Sequence, residues 1–329
     1  MRALIALGGN AMTDAAGRAR PGDQIAAIAT AMDRVTEVVA SGVEVVLIHG
    51  NGPQVGNLLV KNELAASVVP PVPLDWCGAQ TQATIGFIVL DALEAALSRR
   101  GVPRQACAVI TRTLVDGSDP GFTQPTKPIG RYLPQAEAEV LIGHGQTWQD
   151  RGEKGWRRVV ASPEPLQILD ARAIATLVSA GFIVVANGGG GIPVVREPDG
   201  GLRGVEAVID KDLGAALLAR VVDADVLVIA TDVPAAMVGY GTSAARALER
   251  VSRTELAGYA AAGAFGAGSM GPKVAAALRF LDSGGAMAVI SSLDQIAVAV
   301  RGQAGTVVLP DPGPADLDRG PTAHPDPMA

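Results

Sequence analysis

Short apolar runs rich in β-branched residues alternate along this chain with longer stretches whose apolar positions recur every three or four residues. Leu4–Leu7, Val43–Ile48, Ala106–Thr111, Phe182–Ala186, Val226–Ala230 and Ala286–Ser291 read as buried strands. Helical spacing covers Asp23–Ala40, Gln54–Ala66, Gln80–Leu97, Leu166–Ser179 and Leu213–Arg220, then Arg253–Ala262 and Pro272–Leu281. In the first of these, Ile25, Ile28, Met32, Val35, Val38 and Val39 share one face, and Ser41-Gly42 ends it. Strand and helix in alternation predict an α/β fold with a mainly parallel sheet covered on both sides.

Two segments break this rhythm. From 116 to 160, Asp116, Gly117, Pro120, Gly121, Pro125, Pro128, Gly130 and Pro134 interrupt any helix, and a polar stretch with Trp148 and Trp156 follows. A segment that long without a period reads as a small subdomain over one face, serving as a lid or as a plain surface insertion. From Pro310 onward there are six prolines in twenty residues and no apolar period, which predicts a disordered or loosely attached tail, 310–329.

Composition narrows the chemistry. Apolar residues make up 48% and charged residues 18% of the 329, which gives ample material for a core. A net charge of −6 and 3% aromatic content exclude a nucleic-acid footprint, and no apolar run is long enough for a membrane span. Cys77 and Cys107 lack any CxxC or histidine partner pattern and read as free thiols in a reducing cytoplasm.

Three predicted strands end in the same kind of loop: Leu7-Gly8-Gly9-Asn10, His49-Gly50-Asn51-Gly52 and Asn187-Gly188-Gly189-Gly190-Gly191. In a parallel sheet such loops gather at one edge, where bare backbone amides can cradle phosphates. Neither GxGxxG after the first strand nor GxxxxGK[ST] is present. Only five lysines stand against twenty-two arginines, and Lys127, Lys211 and Lys273 sit in PTKPIG, IDKDL and SMGPKV turns. Compact point charges of this kind suit a phosphoryl group. Asp210 and Asp212 flank Lys211, as helix caps or, for Asp212, as an orienting ion-pair partner. His49, at a strand end, reads as a structural hydrogen-bonder. An acceptor that is already an anion needs no general base, only alignment and charge neutralisation.

The stretches GGNA (Gly8–Ala11), HGNGPQVG (His49–Gly56), PLDWCGAQTQATIG (Pro73–Gly86), PTKPIG (Pro125–Gly130) and RRVVASPEP (Arg157–Pro165) resemble those of the carbamate kinases of the amino acid kinase family. So do GGGGIPVV (Gly188–Val195), GVEAVIDKDL (Gly204–Leu213), GSMGPKV (Gly268–Val274) and GTVV (Gly305–Val308). The resemblance implies a three-layer αβα sandwich, with an acceptor lobe over 1–214 carrying a protruding subdomain at 118–160. A nucleotide lobe would cover 215–309, and the chain would form a homodimer. It implies the reaction ATP + carbamate = ADP + carbamoyl phosphate with Mg²⁺ accompanying the nucleotide, and no metal ligand from the protein. By motif position, Lys127, Lys211 and Lys273 hold the transferring phosphoryl group while Asp212 orients lysines. Gly8, Gly9, Asn10, Gly50, Asn51, Gly188, Gly189 and Gly190 line the carbamate and phosphate side. Thr231, Asp232, Tyr240, Met270 and Lys273 face the nucleotide. The alternatives are another enzyme of this fold acting on a different small carboxylate, and a catalytically silent nucleotide-binding protein.

Overall fold

The computed structural model describes residues 1–13, 20–266 and 270–312, the side chain of Asn10 excepted. Gly268 and Ser269 of the GSMGPKV motif and residues 313–329 of the expected disordered tail lie outside the described residues. Eight strands form the central sheet. Its order is Arg250–Ser252, Thr306–Leu309, Met287–Ser292, Val226–Thr231, Arg2–Leu7, Glu44–His49, Ile183–Val185 and Ala106–Ala108. Every neighbouring pair is parallel except Met287–Ser292 against Thr306–Leu309.

Alternation along each strand builds a layer on either side. Ala3, Ile5, Leu7, Val45, Leu47 and Val228 face the helices Pro21–Ala40 and Leu74–Arg99 through Ile28, Met32, Ile85 and Leu93. Leu4, Ala6, Val46, Ile48, Leu227 and Ile229 face the other way, onto Leu218 and Phe280 of helices Lys211–Val221 and Met270–Asp282. Each such Val, Leu, Ile, Met or Phe side chain contributes about 1.5–3 kcal/mol on burial. A one-residue slip would exchange the two faces, so register is strongly specified.

Within the insertion expected at 118–160, a sheet separate from the central one forms. Lys127–Leu133, Trp156–Val160 and Trp148–Asp150 pair as an antiparallel sheet, backed by helix Gln135–Gly143. This unit rests on helix Gly52–Ala65, where Ile129 and Val160 pack with Val55 and Leu59. Contact is close enough that a Cβ on Gly56 would meet the Gly130 Cα at 3.3 Å.

Four readings of the chain are corrected. The expected helix 166–179 starts only at Ala171, because Gln167–Ile168 pairs instead with Arg112–Leu114. The helix expected from Gln80 begins at Leu74, just after Pro73, a residue suited to a helix start. Ala286–Ser291, the last of the strands read from the sequence, is followed by a further strand, Thr306–Leu309, which pairs beside it. At the head of the expected disordered tail, Asp311 accepts hydrogen bonds from the backbone N (2.9 Å) and Oγ1 (2.7 Å) of Thr254. That ties residue 311 to the helix Arg253–Ala261.

Candidate active site

Five adjacent parallel strands end along one rim of the sheet, and their C-terminal loops surround a cleft of about 880 Å³. Gly8 and Gly9 follow the first strand, and Gly50 and Asn51 follow the second. Gly189 comes after Ile183–Val185, while Thr231 and Asp232 close Val226–Thr231. Helix Gly52–Ala65 points its amino end at the cleft with no side-chain cap on it. Its exposed N–H groups and dipole therefore favour an anion there.

The three lysines reach this cleft from separate parts of the chain. Lys127 arrives on the first strand of the subdomain, Lys211 at the start of helix Lys211–Val221, and Lys273 in the first turn of helix Met270–Asp282. The stem of Lys211 runs beside Gly50, where a Cβ would be in van der Waals contact with the lysine Cδ at 3.5 Å. Asp212 lies between two of the ammonium groups: its Oδ1 accepts from Lys211 Nζ at 2.5 Å and its Oδ2 from Lys273 Nζ at 2.9 Å. Burial alone would push the Asp212 carboxyl up, but the two lysines together outweigh it and hold the group at about 2. Burial is also the largest influence on Lys211, and it lowers that ammonium despite its aspartate partner. Asp212 thus pairs with both lysines, and the helix-capping role belongs to Asp210. The Asp210 Oδ1 accepts from the backbone N of Asp212 (2.9 Å) and Leu213 (3.4 Å).

Behind the glycine loops, the packing explains the sequence. Gly189 has φ +69°, and a Cβ there would overlap Asn51, whose Nδ2 donates to Thr81 Oγ1 at 2.9 Å. His49 is buried beneath the same rim and donates from Nδ1 to the Gly50 carbonyl at 2.9 Å. Burial first, then the charge of Lys211, lowers its pKa to about 4 against the pull of that hydrogen bond. A neutral imidazole committed to a backbone carbonyl is a strut, as its position at a strand end suggested.

Several expected site residues lie elsewhere. Gly188 and Gly190 do not line the cleft, because they form the second layer of the loop. A Cβ on Gly188 would strike the His49 ring at 2.4 Å, and one on Gly190 would strike Ile209 at 2.9 Å. Met270 opens its helix with the side chain against the core, leaving Pro272 and Lys273 to face the cleft. Tyr240 sits 80% exposed on the turn between Met237–Val238 and Arg246–Ala247, held away by that hairpin. The side chain of Asn10 lies outside the described residues.

Four polar cleft residues are not among those the sequence pointed to. Ser292 ends the strand Met287–Ser292 and Asp294 follows it, so both obey the same strand-end rule that pointed to Thr231 and Asp232. Arg157 enters from the subdomain with its guanidinium 5.0 Å from the Tyr132 ring centre and its Nε buried without a partner. Asp210 was read as a flank of Lys211, yet its Oδ2 also meets Lys127 Nζ at 2.5 Å. No local pattern could have signalled a contact across 83 residues.

Comparison with known proteins agrees with this geometry. The model of the amino acid kinase family matches residues 1–292. A carbamate kinase of Pyrococcus furiosus is 43% identical over 312 residues, covering 94% of this chain and 99% of that protein. One from Pyrococcus horikoshii is 42% identical over the same length, with the same coverage of both chains. Among solved structures, a carbamate kinase from Giardia lamblia bound to AMP-PNP superposes with a TM-score of 0.88 at 39% identity. It covers 94% of this chain and 98% of that one. The chain belongs to the amino acid kinase family, and within it to the carbamate kinases.

Proposed function

We propose that the protein catalyses reversible phosphoryl transfer between ATP and carbamate, giving ADP and carbamoyl phosphate. One observation carries the reading: three lysines drawn from distant segments converge on a single cleft rimmed by bare peptide amides. In the forward direction an oxygen of carbamate attacks the γ-phosphorus as the bond to the β-bridging oxygen breaks, and ADP leaves. The attacking oxygen is already anionic, so no proton has to be removed, which suits a cleft whose buried histidine is neutral and turned toward a backbone carbonyl. What remains for the protein is alignment and neutralisation of spreading negative charge. Lys211 and Lys273 supply fixed positive charge from either side of Asp212, and Lys127 supplies it from the subdomain.

Residues 1–214 would hold the acceptor, with Gly8, Gly9, Gly50, Asn51 and Gly189 offering amides to carbamate and the transferring group. Residues 215–309 would hold the nucleotide beside Thr231, Asp232 and Lys273. Among the described residues no three His, Cys, Asp or Glu side chains cluster as a metal cage. The oxygen donors at hand, Asp232 and Asp294, suit a Mg²⁺ that arrives on nucleotide phosphates and keeps most of its water. That ion would supply further neutralisation of phosphate charge. No helix among the described residues is long and apolar enough to cross a membrane, and we place the enzyme in the cytoplasm. A homodimer would cover some of the large apolar side chains that the single chain leaves more than half exposed, Trp76, Phe87 and Ile110 among them.

The test is formation of ATP from ADP and carbamoyl phosphate in a coupled assay, repeated with Lys211→Ala and Lys127→Ala. Losing one charge-stabilising group should lower turnover by about 100-fold or more. Wild-type rates in both variants would refute the assigned roles. Turnover with another small acyl phosphate in place of carbamoyl phosphate would reassign the acceptor.

A further inference from the structure

The two oxygens of Asp210 are committed in different directions. Oδ1 closes the first turn of the helix that carries Lys211 and Asp212, accepting from two backbone N–H groups. Oδ2 lies 2.5 Å from the ammonium of Lys127, which belongs to the subdomain. One carboxylate therefore sets the position of the central lysine–aspartate pair and of a lysine borne on a separate sheet. An ammonium has three N–H donors. With one given to Asp210, two remain for an oxyanion in the cleft. Lysine has a long, flexible stem, and Lys127 keeps 30% of its side-chain surface exposed. Without this partner it would have to be ordered afresh each time substrate binds.

We infer that Asp210 is a positioning residue that docks the subdomain on the sheet edge and holds the Lys127 ammonium over the cleft ready for the oxyanion of carbamoyl phosphate or carbamate. This rests on the reaction proposed above, so the test pairs a kinetic readout with one that does not need turnover.

Asp210→Ser retains a side-chain oxygen suited to capping the helix but is too short to reach Lys127. It should raise KM for carbamoyl phosphate about ten-fold, the cost of ordering one lysine side chain, while KM for ADP stays within about two-fold. In a Lys127→Met background the same change should add nothing, because Asp210 acts through that lysine. Amide hydrogen exchange in 127–133 and 156–160 should rise equally in Asp210→Ser and Lys127→Met, and no further in the double variant. Asp210→Asn, an equally good cap with no charge, should follow Asp210→Ser in both measurements. The inference is overturned by a KM for carbamoyl phosphate that is unchanged or lower, by a full effect persisting without Lys127, or by exchange confined to the helix 211–221. Should the wild type not turn over carbamoyl phosphate, the exchange experiment decides alone.

Discussion

Replacing Asp212 with asparagine keeps the shape of the side chain and removes the one negative charge shared by two buried ammonium groups. The wild-type carboxylate sits at about 2, against an ordinary 3.8. That difference corresponds to about 2 kcal/mol of folded-state preference for the charged form. Because the folded value lies below the unfolded one, this stability is present above about pH 4 and is lost as pH falls through about 2. Removing one partner from a buried pair costs about 3–5 kcal/mol, because uncompensated charge stays behind. Here the charge left is that of Lys211 and Lys273, whose side chains are 13% and 14% exposed. Against a typical total of about 5–15 kcal/mol, such a loss is large. Lys211 already titrates below its ordinary value through burial, and without Asp212 it should fall further. A cation with a lowered folded-state pKa costs stability while it is charged and recovers it as pH rises through that value. Urea denaturation of Asp212→Asn should therefore show a deficit of about 3 kcal/mol at pH 7 that shrinks by pH 9.5, with turnover abolished at pH 7. A deficit that is the same at both pH values, or absent, would refute the electrostatic account of the trio.

Other expectations follow from the packing. Gly190→Ala places a Cβ 2.9 Å from Ile209 at φ +91°, and should lower stability by about 1–3 kcal/mol in urea denaturation. His49→Gln should leave the pH dependence of kcat/KM for carbamoyl phosphate between pH 5.5 and 8 unchanged, since the wild-type ring is already neutral there with a pKa of about 4. A limb that vanishes in the variant would make His49 a participant. Alkylation by iodoacetamide should be slow and leave activity intact, because burial raises both thiols and neither Cys77 nor Cys107 lines the cleft. Rapid inactivation protected by ADP would contradict that placement.

The sequence carried the fold wherever a local rule applied. Strand runs such as Leu4–Leu7 and Val226–Ala230 hold their apolar residues on both faces, so their burial was readable from composition alone. Pairs such as Arg250–Ser252 or Gln167–Ile168 are two or three residues long and owe their state to neighbours far away in the chain. For the site, lysine scarcity and the glycine loops pointed to Lys127, Lys211, Lys273, Gly50 and Gly189, all of which line the cleft, because isolated charge and missing side chains are visible in one dimension. Which glycines face the cleft was not visible. Gly188 and Gly189 are neighbours with the same side chain, and only the positions of His49 and Asn51 distinguish them. Tyr240 lies outside the cleft lining for a related reason: a motif position says nothing about the angle of the hairpin that carries it.

The strand at the start of this sequence stands in the middle of the sheet. Arg2–Leu7 has Glu44–His49 on one side, but its other neighbour is Val226–Thr231. A ribosome adding about 5–20 residues per second leaves that second flank unpartnered for roughly ten to forty seconds after the first pair is complete. Throughout this interval the nascent polypeptide presents an unsatisfied row of backbone groups beside Ile5 and Leu7, the kind of surface that holdase chaperones and neighbouring chains compete to cover. Slowing translation ahead of codon 226 should thus lower the yield of native enzyme more than slowing it afterwards.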